Sequence, residues 1–110
     1  MKLIHYIASS GKDVFQEWLD SLRDMTARVS ILRRLDRLAN GNFGDCKACG
    51  NSIFELRIDV EKGYRVYFSN VDKTIIILIC GGDKSTQKKD IEKAIEYLKD
   101  FKHREVLDNE

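Results

Sequence analysis

Two neighbouring runs of alternating residues constrain this chain more than any other feature. Phe54, Leu56 and Ile58 alternate with Glu55, Arg57 and Asp59, and Tyr64, Val66 and Phe68 alternate with Arg65, Tyr67 and Ser69. Side chains on a strand point to opposite faces in turn, so each run reads as a strand with one apolar face. Gly63 suits the left-handed position of a three-residue hairpin loop, Glu61-Lys62-Gly63. Directly opposed residues share a face, and a slip of one residue would turn one strand inside out. This hairpin would set Val60 opposite Tyr64, Asp59 opposite Arg65 and Arg57 opposite Tyr67. One sheet face then carries Glu55, Arg57, Asp59, Arg65 and Tyr67 together.

The remaining elements are placed around that hairpin. Residues 2–8 alternate weakly and read as a first strand. Ser10 with Asp13 three residues on fits a capping box. Phe15, Trp18, Leu19 and Leu22 then fall on one face of a helix. A second helix is expected over residues 25–39, with Val29, Leu32, Leu35 and Ala39 on its buried stripe and Asn40-Gly41 ending it. Residues 42–52 hold small, polar and turn-forming residues and read as a loop. Residues 75–80 are apolar throughout, as in a strand covered on both faces. A last helix is expected over residues 86–101, with Ile91, Ala94, Ile95, Leu98 and Phe101 inward. The order is β-α-α-β-β-β-α. It predicts an α+β fold, an N-terminal helical hairpin packed on a mainly antiparallel four-stranded sheet with a C-terminal helix. The pairing partner of the first strand stays open. The length of 110 residues suits a single domain over 1–110, with disorder expected in the charged tail after about residue 102.

Composition narrows the setting. Hydrophobic residues at 43% and charged residues at 34% describe an ordinary soluble globular protein. No apolar run approaches the length of a membrane span, and the first residues lack a secretory core and cleavage pattern. A cytoplasmic protein without membrane partners is the expectation. A formal net charge of +1 argues against wholesale electrostatic binding of nucleic acid, so any such site must be a local patch. Charge is uneven: Arg23, Arg28, Arg33, Arg34 and Arg37 face only Asp24 and Asp36 in that stretch. Cys46-Lys47-Ala48-Cys49 has zinc-knuckle spacing, but a structural zinc needs four ligands and no second pair exists. No metal and no cofactor are expected; Cys80 reads as a small core residue.

Two features could carry chemistry. A polar outer face with cross-strand ion pairs is ordinary for an antiparallel sheet. Two arginines and a tyrosine are also a useful set for RNA, because guanidinium groups fork onto phosphate oxygens and stabilise charge developing there, and a tyrosine can stack on a base. The second feature is Cys80-Gly81-Gly82-Asp83-Lys84-Ser85-Thr86-Gln87-Lys88-Lys89. It joins a strand to a helix, with glycines for a tight turn, a helix N-terminus open to an anion and three lysines nearby. Its glycine spacing is not that of a Walker motif, and a capped helix with solvent-facing lysines would look the same.

Glu55-Leu56-Arg57-Ile58-Asp59, Gly63-Tyr64-Arg65-Val66-Tyr67-Phe68 and Cys80-Gly81-Gly82-Asp83-Lys84-Ser85 resemble the signature of addiction-module killer proteins, a HigB-like branch of the RelE/ParE superfamily of toxins. The helix around Phe15 to Leu19 and the loop Gly41-Asn42-Phe43-Gly44-Asp45 resemble it too. The resemblance implies the toxin of a type II toxin–antitoxin pair, a ribosome-dependent mRNA endonuclease that needs no metal and uses the RNA 2′-hydroxyl as nucleophile. As alternatives it admits a non-catalytic DNA gyrase poison on the same fold, or a degenerate RNA-binding homologue. Carried onto this chain, it implies Arg57 and Arg65 as phosphate clamps, Tyr67 positioning a base or the hydroxyl, and Lys84 contacting phosphate or assisting proton transfer. His103 is an optional counterpart of a C-terminal histidine. Lys47, Lys88 and Lys89 would bind nucleic acid. Arg33, Arg34 and Arg37 would face a cognate helix-turn-helix antitoxin; ribosome and mRNA are the other implied partners.

Overall fold

A computed structural model, which describes residues 1–108, builds the chain around one five-stranded sheet. Strands β1 (Lys2–His5), β2 (Cys46–Gly50), β3 (Ile53–Ile58), β4 (Tyr64–Asn70) and β5 (Ile75–Asp83) lie in the order β1-β5-β4-β3-β2. β2 to β5 form an antiparallel meander, and β1 runs parallel to β5, with Lys2 opposite Ile75. Helices α1 (Val14–Ser21) and α2 (Met25–Ala39) precede β2; a 3-10 turn (Lys84–Thr86) leads into α3 (Gln87–Asp108).

Alternation explains the layering. Leu56, Ile58, Tyr64, Val66 and Phe68 point to one face and pack with Ile76 and Leu78 beneath α1 and α2. Ile53, Tyr67, Ile77, Ile79 and Cys80 point to the other and pack against Tyr6 and the Ala94–Leu98 side of α3. β5 is thus buried on both faces, as its unbroken apolar run predicts. An extra residue on β5, between the pairs Tyr67–Cys80 and Phe68–Leu78, turns both Ile79 and Cys80 toward α3. Beyond this bulge Gly81 faces α1 and Gly82 faces α3.

Several expectations are corrected. The sheet has five strands, not four, because residues 46–50 of the expected loop pair with β3. This edge strand is mostly exposed, so it lacks the apolar alternation that would betray it. The hairpin pairs Ile58 with Tyr64, Arg57 with Arg65 and Glu55 with Tyr67, displaced by two residues from the expected register. Its loop is Asp59 to Gly63, with Glu61 and Gly63 left-handed and Val60 tucked against the core. An even displacement keeps every side chain on its face. Asp59 therefore leaves the ladder and does not pair with Arg65.

Helix α2 has the expected bounds but a different buried stripe: Ala27, Ile31, Leu35 and Leu38 face inward, while Val29 and Leu32 are exposed. Both sets recur at helical spacing, and tertiary packing selects between them. The N-cap of α1 is Asp13, which accepts from the Gln16 amide, rather than Ser10. The tail after residue 102 is helical through Asp108. Asp100 accepts a hydrogen bond from the Tyr6 hydroxyl at 2.6 Å, and Arg104 pairs with Asp100 at 2.9 Å and donates to the Ile7 carbonyl. Residues 109–110 of that tail lie outside the described residues.

Candidate functional site

The hairpin register sets two arginines face to face. Arg57 and Arg65 are directly opposed across β3 and β4, on the side facing α3. Like charges in that position repel. The compensating charge comes from Glu55, two residues before Arg57 on the same face and fully buried. Arg57 Nε donates to Glu55 Oε1 at 3.0 Å, and Arg65 Nε lies 3.6 Å from the same oxygen, held by charge rather than a hydrogen bond. The other oxygen, Oε2, accepts from the Tyr67 hydroxyl at 3.2 Å and from Gln87 Nε2 at 2.7 Å. Gln87, the first residue of α3, thus brings the helix to the edge of the polar site.

Burial by itself would push the Glu55 carboxyl up. Hydrogen bonds from Arg57, Gln87 and Tyr67, with the charge of Arg65, outweigh it and hold the carboxyl below its ordinary value. Burial beside this carboxylate drives the Tyr67 phenol far above its usual range. The stability that ionised Glu55 contributes is fully present above the ordinary glutamate value of about 4.3 and is lost as pH falls through the lower folded-state value. Denaturation midpoints measured from about pH 7 to about pH 3 should therefore drop less steeply for Glu55→Gln than for the parent chain. Equal acid slopes would remove Glu55 from this account.

The expected site residues separate into three groups. Arg57 and Arg65 are together, with side chains 32% and 12% exposed. Arg65 Nη1 donates to the Tyr64 carbonyl, while Arg57 Nη1 and Nη2 and Arg65 Nη2 have no partner among the described residues. Tyr67 is with them but fully buried, so its ring offers no face for a base to stack on. Lys84 is exposed and lies close by: a Cβ on Gly63 would stand 3.4 Å from Arg65 Nη1 and 3.6 Å from Lys84 Cβ. Lys47, on β2, is directly opposite Glu55 and extends the same face to the sheet edge. Lys88 and Lys89 are exposed on the first turn of α3.

A second group is spent on structure. Arg34 donates to the carbonyls of Arg57, Phe43 and Asp45, tying α2 to β3 and the loop before β2. It is no free partner-binding cation, unlike the exposed Arg33 and Arg37, which border a groove with Asp59 and Val60. The glycines of the strand-to-helix junction also serve packing. They lie within β5, with no left-handed φ, so they make no tight turn. A Cβ at Gly81 would meet the Trp18 ring at 2.2 Å, and one at Gly82 would meet Asp90 Oδ2 at 1.9 Å. The amide expected to await an anion is capped internally, because Asp83 Oδ1 accepts from Ser85 N at 2.8 Å.

The third group lies apart. Cys46 packs on the α1–α2 side of the sheet and Cys49 on the α3 side, as residues three apart on a strand do, so they cannot share one ion. Cys80 is buried, which with nearby Asp90 pushes its thiol up to about 12. His103 is sixteen residues beyond Gln87 on α3, on the order of 24 Å away at about 1.5 Å per residue, and does not reach the arginines. Two contributors went unassigned in the sequence. Glu55 was legible as part of the polar face, but not as its buried centre. Gln87 carried no signal, since only the docking of α3 brings it there.

The region shared with a known family runs from within α1 through the meander and into α3. The chain is 52% identical over 80 residues to an uncharacterized protein of Haemophilus influenzae (strain ATCC 51907 / DSM 11121 / KW20 / Rd), an alignment covering 73% of this chain and 81% of that protein. Residues 17–99 match the family described as Phage derived protein Gp49-like (DUF891). Because that match takes in α2, all of β2 to β5 and the Glu55–Arg57–Arg65 cluster, the chain belongs to the Gp49-like family.

Proposed function

We propose that this chain is the toxin of a toxin–antitoxin pair, built on a RelE/ParE-like fold and acting as a ribosome-dependent mRNA endonuclease. Family membership supports the first part, since Gp49-like proteins are associated with the toxins of such modules. The observation that carries the second is the directly opposed pair Arg57 and Arg65, with three terminal nitrogens unpartnered among the described residues. Two guanidinium groups side by side match the oxygens of a phosphodiester and the charge that builds on it during transfer. In the reaction proposed, the RNA 2′-oxygen attacks the adjacent phosphorus, the 5′-oxygen leaves with a proton, and a 2′,3′-cyclic phosphate remains. Arg57 and Arg65 balance the phosphorane charge. Lys84, Lys47, Lys88 and Lys89 would hold the flanking backbone. Tyr67 would act through Glu55 rather than on a base. No helix among the described residues is long and apolar enough to cross a membrane, in keeping with action on ribosomes in the cytoplasm.

The partner proposed is a helix-turn-helix antitoxin that covers the outer face of α2. Met25, Val29 and Leu32 are exposed there beside Arg33 and Arg37, a surface suited to an acidic amphipathic element. Induced expression followed by pulse labelling tests both parts. Protein synthesis should stop first, and co-expressed antitoxin should restore it. The pair Arg33→Glu and Arg37→Glu should leave the chain toxic but poorly neutralised. Loss of DNA synthesis first, with altered supercoiling, would favour a gyrase poison instead; full neutralisation of the double variant would move the antitoxin off α2.

A further inference from the structure

Glu55 is an expensive residue to enclose, because an ionised carboxylate loses its hydration on burial and is tolerated only when its oxygens are fully engaged. Its two oxygens divide their partners by kind. Oε1 takes the two cations, Arg57 at 3.0 Å and Arg65 at 3.6 Å. Oε2 takes the two neutral donors, Tyr67 at 3.2 Å and Gln87 at 2.7 Å. The neutral pair comes from β4 and α3 and fixes the rotation of the carboxylate, so that Oε1 stays between the guanidinium groups. With no exposed surface, Glu55 cannot reach a substrate proton and is not an acid or base. Its influence must pass through the arginines. Without it, two opposed cations would swing apart.

Resting on the functional reading above, we propose that Glu55 is a positioning residue, which holds Arg57 and Arg65 by their inner nitrogens as a cradle for one phosphate of an RNA backbone. Holding the arginines at Nε leaves three of their four terminal nitrogens for the ligand, Arg65 Nη1 being bound to the Tyr64 carbonyl, so the substrate phosphate need not compete with the internal carboxylate. Tyr67 and Gln87 act one step further back, as the bracket that holds the carboxylate. Fixed donors aimed where charge develops stabilise a transition state more than a ground state. Loss of Glu55 should therefore show in turnover, not in RNA capture, which the two positive charges still favour.

The test combines ribosome-dependent cleavage kinetics with arginine side-chain NMR on the full chain. In the parent, the Arg57 Nε–H signal should exchange slowly with solvent. Titration with a 2′-O-methyl RNA oligonucleotide, which cannot be cleaved, should shift the Arg57 and Arg65 signals. Glu55→Gln should abolish the slow exchange and lower kcat about a hundredfold with KM little changed. Glu55→Asp keeps the charge but is one methylene short, and should not restore kcat. If Asp did restore it, or if the loss simply followed the melting temperature, a plain charge-balancing role would replace this one. Tyr67→Phe keeps the ring and removes one bracket donor; should Glu55→Gln not fold, a lowered kcat in this variant still supports the bracket and an unchanged one overturns it. A parent chain that cleaves while Glu55→Gln cleaves equally well overturns the inference and spares the function. A parent chain that cleaves nothing overturns the function, and the oligonucleotide titration then decides the cradle alone: no shift at either arginine rejects it. The same shifts from inorganic phosphate at equal concentration would reject RNA as its ligand in favour of a free phosphate.

Discussion

Arg65→Ala is expected to abolish growth inhibition on induced expression, a fall of about a hundredfold or more in the cleavage rate, since a charge-stabilising donor is lost. The fold should survive, because Glu55 keeps Arg57, Tyr67 and Gln87 as partners. It will not survive unchanged. The Arg65 side chain is only 12% exposed, so the substitution is not a surface one and should cost roughly 1–3 kcal/mol. Toxicity must therefore be compared at equal levels of folded protein, checked by thermal melting. Arg57→Ala, at 32% exposure, should lose toxicity as fully with a smaller melting shift. Full toxicity of both variants at equal expression would remove the opposed arginines from the function.

Gly81→Ala should be the most destabilising single methyl added to the sheet on the α1 side. The new Cβ would stand 2.2 Å from Trp18 Cε3, and Trp18 is itself wedged between Phe15 and Tyr64 at ring separations of 5.9 and 6.4 Å. Neither the strand nor the ring can yield without disturbing the core, so a loss of about 1–3 kcal/mol or more is expected. In a domain of this size that lowers the melting temperature by several degrees per kcal/mol. Trp18→Leu in the same chain should recover part of the loss, a coupling that a double-mutant cycle reads directly. If the glycine instead served a phosphate site, Gly81→Ala would weaken RNA binding and leave the melting temperature alone.

These residues show where sequence reading reaches and where it stops. The alternation over residues 54–58 and 64–68 assigned those side chains to the correct faces, because the period of a strand is a local property. It could not choose between registers two residues apart, since both preserve the faces. In the structure Val60 leaves the ladder, packs against the core and lengthens the loop. That displacement matters for chemistry: it opposes Arg57 to Arg65 and releases Asp59, where the expected register would have neutralised Arg65 with Asp59. Likewise α2 was legible in its bounds from caps and spacing, yet it offers two apolar stripes, and only packing against the sheet decides which is buried. β2 was missed because an exposed edge strand is held by backbone hydrogen bonds, which leave little mark on side-chain choice.

By itself, the amino-acid sequence determined the order of the elements other than β2, the apolar face of the central hairpin, the double burial of β5 and, Asp59 apart, the residues of the polar face. Each of these follows from periodicity within a few consecutive residues. Tertiary structure alone decided that α3 would cover part of that polar face, burying Glu55 and Tyr67 and delivering Gln87. It also decided that Arg34 would be consumed by carbonyls far along the chain, and that Gly81 and Gly82 would make room for Trp18 and Asp90. The physical reason is common to all of them. Whether a charge is solvated, paired or enclosed depends on what another segment brings over it, and that information is held in contacts between residues distant in the chain.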